Sequence, residues 1–204
     1  MDSIEGKILL RIRKSARGKL FFTEDFLKFG NAKAVSKALE RLAKDQTILR
    51  VSRGIYTRPE IDPIFGQVKP GTEAIAEAIS RRDKARIIPT GSAALNALGL
   101  STQVPVNVVY LTDGSARKIV VGQRKILFKK TSPKNLACTG RISGLVIQAM
   151  KEIGKGKLTE REINIILQHL AKEDSKRLEH DIQLAPEWVR IIMRKALIKQ
   201  RINE

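Results

Sequence analysis

The sequence predicts an α+β protein in two parts, because the spacing of its apolar residues changes several times along 204 residues. Helical spacing over residues 4–44 is followed by two short strand-like runs over 47–58. Strand-like runs return over 104–130, and helical spacing resumes at residue 141. A chain of this length can form two small domains. We therefore predict one domain over 1–60 and a second over 61–204, with a helical region from about residue 141.

The first domain is predicted to contain three helices and a β-hairpin. An amphipathic helix over 4–16 is followed by a helix that Thr23 caps and Gly30 ends, and Asn31 then caps a third helix. The runs over 47–52 and 54–58 predict two strands joined by a tight turn at Ser52–Gly54. This order of elements is typical of a winged helix-turn-helix domain.

The second domain is predicted to be a small α/β domain. A linker over 61–69 leads to a helix over 72–83 and a short helix over 92–100. Three strand-like runs follow, separated by the turn pairs Asp113–Gly114 and Gly122–Gln123, and these predict a three-stranded antiparallel meander. Three further helical runs, over 141–153, 159–174 and 186–199, predict a helical C-terminal extension.

The charge balance is strongly basic. The chain has 39 Lys and Arg against 21 Asp and Glu, a formal charge of +18, and its pI is about 10.3. Residues 1–60 carry a net charge of +7 and residues 61–150 carry +8. A polyanionic partner is the first inference from such a balance. The 42% hydrophobic content favours a folded chain, and no segment is typical of a membrane span or a signal peptide, so we expect a cytoplasmic protein.

The residues that usually carry catalysis are sparse. Cys138 is the only cysteine, and His169 and His180 lie in helical sequence without a partner at ligand spacing. Neither an HExxH nor a Gly-x-Ser-x-Gly motif is present. The Thr90–Ser92 segment can be interpreted as a phosphate-binding loop or, more simply, as a turn and helix cap. We expect no enzyme activity, no cofactor and no bound metal.

The third helix and the hairpin contain the candidate DNA-binding residues. A helix of this kind enters the major groove with its N-terminal part, and an arginine at a hairpin tip can reach an adjacent minor groove or phosphates. Lysine and arginine can bind guanine edges or phosphates, and serine and helix N-termini commonly bind phosphates. The simpler interpretation is a solvated polar helix face. The candidates are Asn31, Lys33, Ser36, Lys37, Arg41, Lys44, Arg50 and Arg53.

A second cluster of cations lies on the last two predicted strands and at their ends. Its members are Arg117, Lys118, Arg124, Lys125, Lys129 and Lys130. A second nucleic-acid surface is one hypothesis. The alternative is a sheet edge that lysines protect against aggregation.

Two motifs resemble a known family. The run KALERLAKDQTILRVSRGIY and the later TGSAALNALGLS, followed by VVYLTDGSARKI, resemble the AbiEi family of bacterial antitoxins from type IV toxin–antitoxin systems. The resemblance covers roughly residues 4–130. It implies an N-terminal winged helix-turn-helix that binds operator repeats and represses its own operon. It also implies a following antitoxin domain that counters a nucleotidyltransferase-like toxin encoded by a neighbouring gene.

The expected function is therefore a DNA-binding transcriptional repressor and antitoxin, used in abortive infection. Its expected partner is double-stranded DNA of its own operator, with inverted repeats occupied by two copies, either as a dimer or through cooperative pairing on the DNA. Two alternatives stay open at this point. One is a basic RNA- or ribosome-associated protein, and the other is an antitoxin that binds its toxin directly.

Overall fold

The computed structural model describes residues 3–203 and has a mixed α+β fold. The chain forms two compact units. The first unit extends to Ile79 and also includes Val120–Gln123. The second comprises Ser80–Ile119 and the chain from Arg124 onward. The boundary proposed after residue 60 stays a prediction.

The first unit begins with α1 (Ile4–Arg13), strand β1 (Leu20–Phe22) and a 3-10 helix (Thr23–Phe29). Helix α2 (Ala32–Lys44) and strands β2 (Leu49–Ser52) and β3 (Ile55–Thr57) follow. The three strands form an antiparallel sheet in the order β1-β3-β2. Helix α2 begins as expected, because the side-chain oxygen of Asn31 accepts a hydrogen bond from the amide of Ala34 at 2.9 Å.

Two elements of the first unit differ from the expectation. The segment Thr23–Phe29 is a 3-10 helix that Phe22 precedes as the N-cap residue. At its N-terminus the Asp25 carboxylate accepts a hydrogen bond from the Phe22 amide at 2.8 Å. The apolar run Leu20–Phe22 is a strand, because Phe21 and Phe22 pair with Tyr56 and Ile55 of β3. Strand pairing between distant segments leaves no local signal in a three-residue run.

One hydrophobic core holds these elements together. Its buried members come from α1, β1, the 3-10 helix, α2 and the β2–β3 region, and they are Ile8, Ile12, Phe21, Phe26, Val35, Ala38, Leu39, Leu42, Ile48 and Tyr56. All four residues of the predicted α2 stripe are therefore in the core. The opposite face of α2 is left to solvent, which places its polar residues at the surface.

The segment predicted to be a linker is a second β-hairpin. Strands β4 (Glu60–Asp62) and β5 (Gly66–Val68) pair with each other and form a separate two-stranded sheet. Helix α3 (Thr72–Asp83) follows, and it buries Ile75, Ala76 and Ile79. The linker prediction was wrong because Pro63 and Gly66, residue types that are common in linkers, here belong to the hairpin and its turn.

The chain also contains a four-stranded sheet in the order β6-β7-β9-β8, which belongs to the second unit except for Val120 and Val121. Its strands are β6 (Ile87–Thr90), β7 (Asn107–Thr112), β8 (Arg117–Val121) and β9 (Arg124–Lys130). Strand β6 is antiparallel to β7, whereas β9 is parallel to β7. Sequence reasoning missed β6 because it contains Pro89, a residue that edge strands tolerate.

The predicted three-stranded antiparallel meander is therefore wrong. Strand β9 lies between β7 and β8, and it contributes the buried Ile126 and Phe128 next to Val108 and Tyr110 of β7. The expected hairpin turn at Asp113 does not form, because this carboxylate accepts from the backbone amide of Arg86 at 2.7 Å and from its Nε at 2.8 Å. These bonds tie the end of β7 to the start of β6, and the chain then crosses to the far edge of the sheet, where β8 forms.

Helices form the remainder of the second unit. The short α4 (Ser92–Ala97) precedes β7, a 3-10 turn (Pro133–Leu136) follows the sheet, and four helices complete the chain. These are α5 (Arg141–Ile153), α6 (Glu160–Leu170), α7 (Ser175–Ile182) and α8 (Glu187–Asn203). Helix α7 was not expected. The core of this unit joins α4 to α5–α8, and no helix in the described part of the chain is long and apolar enough to cross a membrane.

Candidate nucleic-acid interface

Helix α2 presents its cations on one side. Lys33, Lys37, Arg41 and Lys44 recur at helical spacing, and all four are exposed. Val35, Leu39 and Leu42 lie on the buried side of the same helix. The local sequence thus separates a fixed apolar face from a cationic face that is open to a ligand.

The N-terminal end of α2 is the part best suited to a phosphate. Asn31 is exposed and caps the helix, and Ser36 is half-buried one turn further on. The first amides of a helix have no intrahelical acceptor, and they carry the positive end of its dipole. With Lys33 in the first turn, the cap, the amides and one flexible cation lie together at this end.

Arg41 has a competing partner in the protein. Its Nε donates to the Glu5 carboxylate of α1 at 2.7 Å, and the two side chains are 59% and 32% exposed. An exposed ion pair of this type contributes little to stability. Arg41 would therefore exchange Glu5 for a phosphate at a small energetic cost. Sequence reasoning did not identify Glu5, because the two residues are 36 positions apart.

The β2–β3 hairpin carries the other two candidates of the first unit. Arg53 and Gly54 connect the strands, and the positive φ of Gly54, 72°, allows this two-residue connection. Arg53 is exposed at the tip. Arg50 is exposed on β2 opposite Tyr56, and its positive charge opposes the rise that burial causes in the pKa of that tyrosine.

Two other arginines of the first unit donate hydrogen bonds to backbone carbonyl groups. Arg58 Nη1 donates to the carbonyls of Arg13 and Ser15, at 2.8 and 3.0 Å, and so joins the end of β3 to the end of α1. Arg11 donates to the Asp25 carbonyl and lies over the Phe26 ring, 5.5 Å from its centroid. Part of the positive charge of residues 1–60 therefore belongs to side chains that stabilise the fold.

The pleat of the sheet divides the second cluster of cations between two faces. Successive side chains of a strand point to opposite faces, so Lys125 and Lys129 lie on the face opposite the buried Ile126 and Phe128. Arg117 lies over the Phe128 ring, which places Lys118 on the same face as Lys125 and Lys129. We call Lys118, Lys125 and Lys129, all exposed, the sheet surface.

The Arg117 side chain makes contacts within the protein. Its guanidinium contacts the Asp83 carboxylate and lies 5.4 Å from the centroid of the Phe128 ring. Burial and, secondarily, the nearby Arg82 charge lower the pKa of Arg117. Arg124 and Lys130 share its face but are exposed at the two ends of β9. The six cations that the sequence places together thus lie in three different environments.

A family model matches residues 7–178, a range that contains α2, the β2–β3 hairpin and the four-stranded sheet. Its description is DUF6088, a family of unknown function. The chain belongs to this family. A comparison with curated proteins finds no significant match. The DUF6088 description states no activity, so a functional interpretation depends on the geometry of the chain itself.

The other polar centre of the DUF6088 chain is structural. Asp181 has no exposed surface, and its carboxylate accepts from the amides of Thr139 and Gly140, both at 2.8 Å, from Ser143 Oγ at 2.6 Å and from His180 Nδ1 at 2.8 Å. Burial raises the pKa of Asp181, but the hydrogen bonds from Ser143, His180, Thr139 and Gly140 outweigh this effect and lower it. This carboxylate stabilises the N-terminus of α5.

The remaining residues considered for chemistry also have structural contacts. His169 Nε2 lies 3.0 Å from the Leu98 carbonyl, and burial raises the pKa of Cys138 to about 11. The Thr90–Ser92 segment forms the turn into α4, with the Glu152 carboxylate beside Gly91. A carboxylate at this place is unfavourable for a phosphate. Within residues 3–203, no group of His, Cys, Asp and Glu side chains is arranged to hold a metal ion.

Proposed function

We propose that this DUF6088 chain is a DNA-binding transcriptional repressor and antitoxin of a type IV toxin–antitoxin operon. In this proposal the first unit is a winged helix-turn-helix domain, with α2 as recognition helix and the β2–β3 hairpin as wing. The observation that supports it most is the one-sided cationic face of α2 in the same compact unit as a hairpin tipped by Arg53. The element order and the sheet order β1-β3-β2 agree with it.

The proposed contacts follow from this arrangement. Lys33, Ser36 and Lys37 enter the major groove with the N-terminal half of α2, and Asn31 holds a flanking phosphate. Arg53 reaches the adjacent minor groove or its phosphates. Arg41, Lys44 and Arg50 contribute further charge beside the groove. A single module of this size covers a short site, so two copies on an inverted repeat complete the operator.

Direct binding measurements test the repressor proposal. Full-length protein is titrated with DNA from the region upstream of its own gene, with unrelated DNA of equal length and with structured RNA, over a range of salt concentrations. We expect the upstream DNA to bind most tightly. The logarithm of its association constant should fall by about 0.9 per unit of log salt concentration for each neutralised phosphate. A preference for RNA would instead support the RNA-associated alternative.

The antitoxin part of the proposal rests on the resemblance of the SRGIY and TGSAALNALGLS motifs to the AbiEi family. It is tested by expressing the chain with the product of a neighbouring nucleotidyltransferase-like gene and measuring growth. We expect wild type and a variant with Lys33→Ala and Lys37→Ala to restore growth equally, because the resemblance implies that the antitoxin activity lies in the domain that follows the winged helix-turn-helix. Absence of rescue by wild type would contradict it. Stable co-purification of the two proteins would favour direct toxin binding.

A further inference from the structure

The β4–β5 hairpin carries the most exposed of the large apolar side chains in the described part of the first unit. Ile64 and Phe65 at its tip are 84% and 82% exposed, and Ile61 on β4 is 59% exposed. Its two strands form a sheet of their own. An isolated two-stranded hairpin is marginally stable in water, and a contiguous exposed apolar patch usually marks an interaction site.

The tip is held in a defined shape. The Asp62 carboxylate accepts hydrogen bonds from the amides of Ile64 and Phe65, at 2.8 and 2.9 Å. The bond from Phe65 and, to a smaller extent, the bond from Ile64 lower the pKa of Asp62. A charged carboxylate therefore fixes the turn at neutral pH. Gly66 closes the turn with φ of 71°. The two apolar side chains are therefore presented in a preorganised arrangement, which lowers the entropic cost of binding.

We infer that this hairpin is the contact through which two copies of the chain associate. The choice of occupant follows from charge. A chain of +18 repels its own copy, and the exposed apolar residues of its helices adjoin a cation, as Leu10 adjoins Arg11 and Ile198 adjoins Lys199. Residues 59–68 contain no Lys or Arg. The tip is thus a place where two copies can meet without opposing cations.

The same features disfavour nucleic acid as the occupant. Glu60 and Asp62 would face phosphates with like charge, whereas the uncharged Ile64 and Phe65 side chains can pack against their copies across a two-fold axis, with the Asp62 carboxylate turned to the amides of its own turn. The outer edges of β4 and β5 have no further strand in the described part of the chain, so pairing across that axis can extend the sheet. The contact area is small, which predicts a weak, concentration-dependent dimer.

The inference rests on the proposed repressor function only for the need for two copies. The experiment uses full-length protein without DNA, so a failure of the inference is distinguishable from a failure of the repressor function. Sedimentation equilibrium is recorded at rising protein concentration. We expect the mass of wild type to rise from the 22.8 kDa monomer towards the dimer. A variant with Ile64→Asp and Phe65→Asp should stay monomeric, and at low protein concentration, where wild type is also monomeric, its melting temperature should be unchanged because both side chains are exposed.

A matched control changes two exposed valines elsewhere. Val104 and Val106 are 63% and 59% exposed and also lack an adjacent cation, and replacing both by Asp should leave the dimer intact. Both variants lower the net positive charge equally, so repulsion between copies cannot explain a difference between them. A monomeric wild type at all concentrations, or an equal response of the two variants, would overturn the inference.

Cysteine cross-linking gives an independent measurement. Ile64→Cys is expected to form a disulfide-linked dimer under mild oxidation, since a two-fold contact brings the two tips together. Val104→Cys should not do so. The native Cys138 is half-buried with a raised pKa of about 11, so it contributes little background. Equal cross-linking of the two variants would count against a contact at the hairpin.

Discussion

The cationic face of α2 and the strands β8 and β9 each carry a cluster of cations, but the two regions hold them differently. On α2 the four cations lie on one exposed side of a helix. On the sheet the pleat sends three lysines to one face and Arg117, Arg124 and Lys130 to the other. A helix with one apolar stripe gathers the remaining side chains on a common surface, whereas a strand divides consecutive residues. Equal charge density in a sequence therefore does not give equal surface potential.

The two units also differ in what charge does for the fold. Of the α2 cations, Arg41 has a single exposed ion pair. In the second unit, Asp181 is fully buried with several donors around it, and Arg117 contacts Asp83 and Phe128. We expect that charge on α2 can be changed without loss of stability, while these charges of the second unit cannot.

The largest effect is expected at Asp181. Replacing it with Asn exchanges one accepting oxygen for an NH2 group that faces donors, and we expect unfolding free energy to fall by about 3 kcal/mol. Glu179→Gln is the matched control on the same helix. Glu179 makes an ion pair with Arg201 in which both side chains are more than half exposed, so a loss of under about 0.5 kcal/mol is expected. Denaturant unfolding measures both, and similar losses would remove the contrast.

The pH dependence of the unfolding free energy of the same variant tests whether the charge of Asp181 causes the effect. The pKa of Asp181 in the folded chain lies below its ordinary value of 3.8. Its contribution is therefore complete above that value and is lost as pH falls through the lowered folded-state pKa. We expect the stability difference between wild type and Asp181→Asn to be constant near neutral pH and to shrink below about pH 4. A difference that does not change with pH would show that charge is not the cause.

The next effect concerns DNA affinity. A variant with Lys33, Lys37 and Arg53 changed to Ala should bind the upstream DNA on the order of 100-fold more weakly at low salt, because three phosphate or base contacts are lost. Its melting temperature should not change. The matched triple of Lys118, Lys125 and Lys129 to Ala removes the same charge from the sheet surface, and a loss of only a few-fold is expected. Equal losses would mean that net charge, not α2, governs binding.

The sequence was sufficient where local signals decide the structure. The cap at Asn31, the apolar stripe from Val35 to Leu42 and the turn at Gly54 each depend on residues within a few positions, and α2 with its hairpin formed as predicted. The exposed positions of the α2 cations follow from the same stripe. This part of the candidate site could therefore be predicted from the chain alone.

The sequence was insufficient where distant segments choose their partners. The insertion of β9 between β7 and β8 depends on the fit of Ile126 and Phe128 beside Val108 and Tyr110, and on the bonds between Asp113 and Arg86. The contact of Arg117 with Asp83 is a consequence of that order. Helix α7 does have a local signal, since Asp174 caps it and accepts from the Arg177 amide at 3.0 Å, but Asp174 also fits the end of the preceding helical run.

A smaller effect is expected for Arg117→Ala. The substitution removes a guanidinium that contacts Asp83 and the Phe128 ring, and unfolding free energy should fall by about 1–2 kcal/mol. Lys118→Ala, one residue further on the opposite face, should change it by less than about 0.5 kcal/mol. DNA affinity of the folded protein should be unchanged in the Arg117 variant. If Lys118→Ala costs as much stability as Arg117→Ala, the division of this cluster by the pleat has no energetic meaning.

The smallest effect is expected at Glu5. Because its carboxylate accepts from Arg41 Nε at 2.7 Å, Glu5→Gln should free this arginine for phosphate and raise affinity for the upstream DNA about 2–3-fold at low salt. Asp45→Asn removes the same charge from an exposed position at the C-terminal end of α2 and controls for net charge. The increase should disappear when Arg41 is also changed to Ala. If Asp45→Asn raises affinity as much as Glu5→Gln, the gain comes from overall charge, and Arg41 is not a residue that Glu5 restrains.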